Sequence, residues 1–213
     1  MSIKVKICGI RTLDAAEAAI DARADFLGFN FVPTSKRYID PTLATKIISS
    51  MNKSFPWEIR GRVKTVGVFQ DAESAYVNSV ASKLGLDFVQ LHGNENNEYI
   101  RQIRVLVIKV IQINDRPEGI DTAYFLLDRP KRGKGKMVNL EKAAELAANF
   151  PLFIAGGLTP DNVAYVVRKV RPFAVDVAGG IEIDGKESLN KIRTFIKNAK
   201  EVIYNRKITS CFL

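Results

Sequence analysis

Histidine, cysteine and tryptophan are scarce in this chain: its 213 residues contain one His, two Cys and one Trp. Two thiols at opposite ends of the sequence, Cys8 and Cys211, make no disulfide framework, which points to a reducing, cytoplasmic setting. No apolar run approaches the roughly 18 residues of a membrane-spanning helix, so no membrane partner is expected. The first residues lack an apolar segment followed by small residues, so no secretory signal is expected either. A Gly/Ser linker and low-complexity blocks are also missing, which leaves one domain over residues 1–204 and a frayed tail over 205–213. The final "KITSCFL" is not a prenylation box, because Cys211 stands third from the end and that signal needs a cysteine fourth from the end.

What the chain has is an ordinary globular composition, 46% hydrophobic and 26% charged, with a net charge of +9. The positive charge gathers in "RGRVK" (60–64) and "RPKRGKGK" (129–136). No nucleic-acid motif accompanies it, so it reads as a lysine-rich background suited to an anionic small molecule, and no nucleic-acid partner is expected.

Apolar, β-branched runs recur at 4–8, 25–30, 65–70, 87–92, 105–112, 123–128, 152–155 and 174–178. Helix-patterned stretches stand between them, several opening on Thr, Asp, Asn or Pro as helix starts do. They are "TLDAAEAAIDA", "PTLATKIISSM", "AESAYVNSVASKLG", "NENNEYIRQIR", "NLEKAAELAANF", "TPDNVAYVVRKV" and "ESLNKIRTFIKNAKEVI". The fifth connection, "NDRPEGIDT", has room for one helical turn at most. Eight such units predict a single (β/α)8 barrel, the TIM-barrel class. A doubly wound sheet competes, but no G-x-G-x-x-G follows the first strand.

A barrel carries its chemistry at the C-terminal ends of its strands. Alternation along each strand sends Val5, Ile7, Phe125 and Leu127 toward the helices. Lys4, Lys6, Cys8, Gln90, His92, Asp128 and Asp176 then face the axis, with Cys8 and Asp128 at the mouth. Buried polar groups are costly unless paired or used, so their convergence marks a site. "FIAGG" (153–157) and "DVAGG" (176–180) end the seventh and eighth strands. Paired glycines there expose backbone N–H groups to an anion, and these two loops are where the fold holds phosphate.

"KVKICGI", "GFNFVPTSKRYI", "VGVF", "VQLHGNE", "FLLD", "AGGLTPDNV" and "RPFAVDVAGGIE" follow one another over residues 4 to about 200. In that order they resemble the phosphoribosylanthranilate isomerase family of tryptophan biosynthesis. The resemblance implies an Amadori rearrangement of N-(5-phosphoribosyl)anthranilate to 1-(2-carboxyphenylamino)-1-deoxyribulose 5-phosphate, with no metal or organic cofactor, by a monomer or homodimer. It implies Cys8 as general base, Asp128 as general acid and Arg37 as the partner of the anthranilate carboxylate. Gly156, Gly157, Ala178, Gly179 and Gly180, near a helix starting at Asp161, would hold the phosphate. His92 either touches substrate or hydrogen-bonds within the barrel. Asp176 either holds a ribose hydroxyl or pairs with a lysine such as Lys6 or Lys109. Lys6, two residues from Cys8 on the same face, is expected to favour the thiolate.

Two departures from the family pattern stand out. "DVAGGIE" replaces the usual "DVSSGVE", removing serine hydroxyls at Ala178 and Gly179. "RPKRGKGKMVNL" follows Asp128 without the usual Phe-Asp-Trp. Two other functions compete. The related histidine-pathway isomerase carries an aspartate where Cys8 stands. A non-catalytic barrel that binds a phosphate ligand would need neither Cys8 nor Asp128.

Overall fold

The computed structural model describes residues 3–129 and 139–202. The tail over 205–213 and most of the basic segment after Asp128 lie outside those residues. Eight parallel strands close into a barrel in sequence order: β1 (Lys4–Cys8), β2 (Phe26–Asn30), β3 (Lys64–Phe69), β4 (Phe88–Leu91), β5 (Leu106–Ile111), β6 (Tyr124–Leu127), β7 (Leu152–Ile154) and β8 (Ala174–Val177). β1 pairs with both β2 and β8, setting Cys8 beside Gly28 and Lys6 beside Asp176.

The helices are α1 (Leu13–Asp21), α2 (Pro41–Ser54), α3 (Trp57–Arg60), α4 (Ser74–Leu84), α5 (Asn97–Ile100), α6 (Leu140–Asn149), α7 (Val163–Val170) and α8 (Leu189–Lys200). Their starts follow the capping chemistry of the sequence. The side chains of Thr12, Asp40, Asn139 and Ser188 each accept a first-turn backbone N–H. The predicted helix "NENNEYIRQIR" shortens to α5, because the amides of Gln102 and Ile103 bond the carbonyls three residues back and tighten the chain into turns. α7 begins two residues beyond Asp161, since Asn162 folds back to accept from the Thr159 N–H at 2.8 Å.

Two cores result from the period-2 alternation. Val5, Ile7, Val89, Leu91, Phe125, Leu127, Val175 and Val177 are buried between barrel and helices. Inside the barrel lie Phe26, Val66, Phe88, Ile108, Leu126, Phe153 and Ala174. Its lower end is an aromatic plug: Phe26 meets Phe88 and Phe153 edge-on at ring separations of 5.8 and 5.1 Å, and Tyr124 stacks on Phe173 at 4.7 Å.

The same lower rim is fastened by carboxylates. Asp25, just before β2, accepts from the Val5 N–H at 2.9 Å and from Lys4 and Lys200 at 2.8 and 2.7 Å. Asp87, just before β4, repeats this on β3. It accepts from the Thr65 N–H at 2.9 Å and from the Thr65 hydroxyl and Lys64 at 3.0 Å.

Candidate active site

At the upper end the lining changes character. A cavity of about 710 Å³ opens there, bounded by Cys8, Arg37, Gln90, His92, Asp128 and Asp176 together with the loops 155–159 and 177–180. Cys8 and Asp128, 120 positions apart in the chain, face this one space. So do Gly156, Gly157, Ala178, Gly179 and Gly180. Asn30, Val68, Arg129 and Thr159 also line the cavity, and the sequence reading did not single them out.

Cys8 is buried, with 8% of the residue exposed. It fits because its neighbour on β2 is Gly28, where a Cβ would stand 2.8 Å from the sulfur. Burial pushes the thiol pKa up; the Lys6 ammonium pulls it down, and the Asp176 carboxylate pushes it up again. The net direction is upward. Lys6 therefore acts on the thiol in the expected sense but is outweighed by burial, and it is itself paired with Asp176 at 2.9 Å. Burial disfavours the ammonium of Lys6, yet Asp176 and Cys8 together hold its pKa above the ordinary lysine value. Lys6 also donates to Gln90 Oε1 at 2.8 Å.

Of the two partners foreseen for Asp176, Lys6 is the one present. Lys109 is not: Val107 and Ile111 on either side of it pack into the outer core, so its side chain leaves the barrel. It meets Glu95 at 2.7 Å, in a buried pair that also gathers the N–H groups of Asp71 and Gly93.

Asp128 follows β6. Its Oδ1 accepts from the Arg129 N–H at 2.7 Å, and its Oδ2 lies 3.5 Å from His92 Nε2. Burial raises its pKa, against the Arg129 N–H and His92, and Asp176 adds to the rise. The carboxyl is thus pushed toward its protonated form, as a proton donor requires.

On the opposite wall, Arg37 meets Glu182 through two parallel bonds, Nε to Oε1 at 2.9 Å and Nη2 to Oε2 at 2.6 Å. Glu182 begins the short hairpin β9 (Glu182–Ile183) and β10 (Lys186–Glu187). Arg11 joins the same knot, donating to Glu182, to the Gly185 carbonyl and, through its backbone N–H, to Glu187. A guanidinium carries five N–H donors, so the Nη1 edge of Arg37 remains for another carboxylate. Glu182 stands inside the quoted "DVAGGIE", but 145 positions separate it from Arg37 and nothing local in the sequence signals the pair.

The loops after β7 and β8 line the cavity with glycines and alanine, and Thr159 adds a hydroxyl. Gly156 and Gly157 both take φ of +83°, a backbone conformation that glycine reaches without a Cβ clash. Gly180 approaches the Leu158 carbonyl so closely that a Cβ would stand 1.9 Å from its oxygen, so the two loops interlock.

A carboxyl pushed toward its protonated state and a thiol share one cavity with the glycine-rich loops after β7 and β8, at the C-terminal ends of the strands, where a (β/α)8 enzyme carries its chemistry. The N-(5'phosphoribosyl)anthranilate (PRA) isomerase family model matches residues 5–198, and the chain belongs to that family. N-(5'-phosphoribosyl)anthranilate isomerase of Geobacter sp. (strain M21) is 40% identical over 210 residues, covering 93% of this chain and 98% of the relative. The crystal structure of phosphoribosyl anthranilate isomerase from Thermotoga maritima superposes with a TM-score of 0.81 at 38% identity, covering 94% of this chain and all of that one. A phosphoribosyl anthranilate isomerase in complex with reduced 1-(o-carboxyphenylamino)-1-deoxyribulose 5-phosphate superposes with a TM-score of 0.78 at 37% identity, with the same coverage.

Proposed function

We infer that this chain converts N-(5-phosphoribosyl)anthranilate to 1-(2-carboxyphenylamino)-1-deoxyribulose 5-phosphate, the isomerase step of tryptophan biosynthesis. The observation that carries this reading is the placement of Cys8 and Asp128 on one cavity next to the 156–157 and 178–180 backbone cradle. Asp128 donates its proton to the furanose ring oxygen as the C1′–O bond breaks and the anilino nitrogen forms the C=N bond. Cys8 then takes the C2′ proton in its thiolate form, the minor form near neutral pH because burial raises its pKa, and the electron pair moves toward the nitrogen to give an enolamine. That species tautomerises to the amino ketone. Atoms balance: Asp128 has lost one proton and Cys8 has gained one, and exchange with solvent restores both. General acid–base help of this kind contributes about 10²–10⁴-fold per group. Each step is a proton transfer, so the sequence as written draws on no metal and no organic cofactor.

The anthranilate carboxylate binds the outer edge of Arg37, which Glu182 holds in place. The phosphate binds the backbone N–H groups of the two loops, without the serine hydroxyls that Ala178 and Gly179 have replaced. Among the described residues no helix is long and apolar enough to cross a membrane. A small-molecule biosynthetic role supports a cytoplasmic setting. Cys8 and the carboxylate-sized edge of Arg37 favour this substrate over the doubly phosphorylated one of the histidine-pathway isomerase. Purified protein given phosphoribosylanthranilate should quench its anthranilate-type fluorescence, and the gene should rescue a tryptophan auxotroph lacking this isomerase. An inert protein in both assays would defeat the reading.

A further inference from the structure

The mechanism leaves one buried group without a task. Gln90 is 2% exposed, lines the cavity, and stands between the Lys6–Asp176 pair and the acid. Its orientation is determined by chemistry. Lys6 Nζ is an ammonium with three donors and no lone pair, so the atom it meets at 2.8 Å is Oε1 and the NH₂ group must point the other way. That NH₂ faces His92 Nδ1 at 3.4 Å. An N–H needs a lone pair opposite it, so Nδ1 is the unprotonated nitrogen. The one proton of a neutral imidazole then sits on Nε2, which faces Asp128 Oδ2 at 3.5 Å.

We propose that Gln90 is a positioning residue that fixes the tautomer of His92, so that the imidazole presents an N–H, and never a lone pair, to the acid Asp128. The consequence is twofold. A lone pair at Nε2 would compete with the sugar oxygen for the proton of Asp128; an N–H does not. Once Asp128 has given its proton away, the same N–H faces the new carboxylate beside the N–H that Arg129 already donates. Lys6, Gln90 and His92 thus connect the base side of the barrel to the acid side through a series of fixed donors. Gln90 is an amide in the middle of that series, so it transmits orientation and does not pass a proton along. Both long contacts, 3.4 and 3.5 Å, are expected to shorten when substrate fills the cavity.

The proposal rests on the acid role inferred for Asp128, but its central claim has a readout of its own. His92 is the sole histidine of the chain. Protein labelled with ¹⁵N-histidine therefore gives one pair of imidazole nitrogens. Spectra are recorded well above the ordinary histidine pKa of about 6.5. The expected result is a pyrrole-like, protonated Nε2 and a pyridine-like Nδ1. Gln90→Glu keeps an acceptor for Lys6 while turning the Nδ1-facing donor into an acceptor. It should reverse the two signals and lower kcat by about tenfold or more, with a smaller change in KM and an unaltered circular dichroism spectrum. Gln90→Leu, should it fold, is expected to give a mixture of the two forms. A protonated Nδ1 in the wild-type protein would overturn the proposal. So would Gln90→Glu with the wild-type tautomer or with wild-type kcat. A wild-type protein that shows the expected tautomer without turning over phosphoribosylanthranilate would uphold the assignment of His92 and defeat the isomerase reading instead.

Discussion

The two ends of this barrel solve opposite problems with the same residue types. At the lower rim Asp25 receives a backbone N–H and two lysines, and Asp87 receives a backbone N–H, a hydroxyl and a lysine. Below the mouth an aromatic plug fills the axis. At the upper rim Asp128 receives, among the described residues, the Arg129 N–H and lies beside an imidazole at 3.5 Å, and its pKa is raised by burial. A carboxylate that gathers three donors, as Asp25 and Asp87 each do, is a fastening. One that is desolvated, like Asp128, is pushed toward its protonated form. The two rims thus differ in how deeply their carboxylates are buried and in which donors meet them.

The largest test of that contrast is at the mouth. Asp128→Asn and Cys8→Ser should each reduce turnover of phosphoribosylanthranilate by about 10²–10⁴-fold, measured by fluorescence. Asp128→Asn should at the same time raise Tm near neutral pH. The sign follows from linkage: a carboxyl whose folded pKa is raised adds stability below its ordinary pKa, and that contribution is lost as pH climbs through the raised value. The amide removes the charged form that costs stability at neutral pH.

Next in size, Lys6→Met leaves Asp176 buried without its cation, and urea denaturation should show a loss of about 3–5 kcal/mol. A smaller, kinetic effect concerns the thiol. In a Cys211→Ser background, the alkylation rate of Cys8 should still be climbing with pH beyond the ordinary thiol range of about 8.5, because its pKa is raised. A plateau near neutrality would show instead that Lys6 wins over burial. The mildest change belongs to the lower rim. Asp87→Asn exchanges a half-exposed ion pair for a neutral bond and should cost no more than about 1 kcal/mol, with kcat unaltered.

Much of the barrel was legible because alternation is reliable on strands buried on both faces. The inward set Lys6, Cys8, Gln90, His92, Asp128 and Asp176 follows from parity, and the helix caps follow from side-chain chemistry. Parity also explains the one lysine partner that failed: Lys109 shares the outward phase of Val107 and Ile111, so Asp176 is beyond it. Pairs joined through space were not legible. Arg37 with Glu182, and Arg11 with the hairpin, connect residues 145 to 176 positions apart. No local pattern encodes such meetings. The balance of forces on Cys8 was hidden for the same reason, since it depends on burial and on Asp176, a residue from the last strand.

That long reach has a consequence for the protein while it is being made. Cys8 is synthesised 168 residues ahead of Asp176 and 174 ahead of Glu182. At translation speeds of about 5–20 residues per second, the thiol waits roughly 10–35 s before the strand that shuts it away can arrive. During that interval the future base is an open sulfur on a nascent chain, exposed to any oxidant in the surroundings, and barrel closure is the event that ends its exposure.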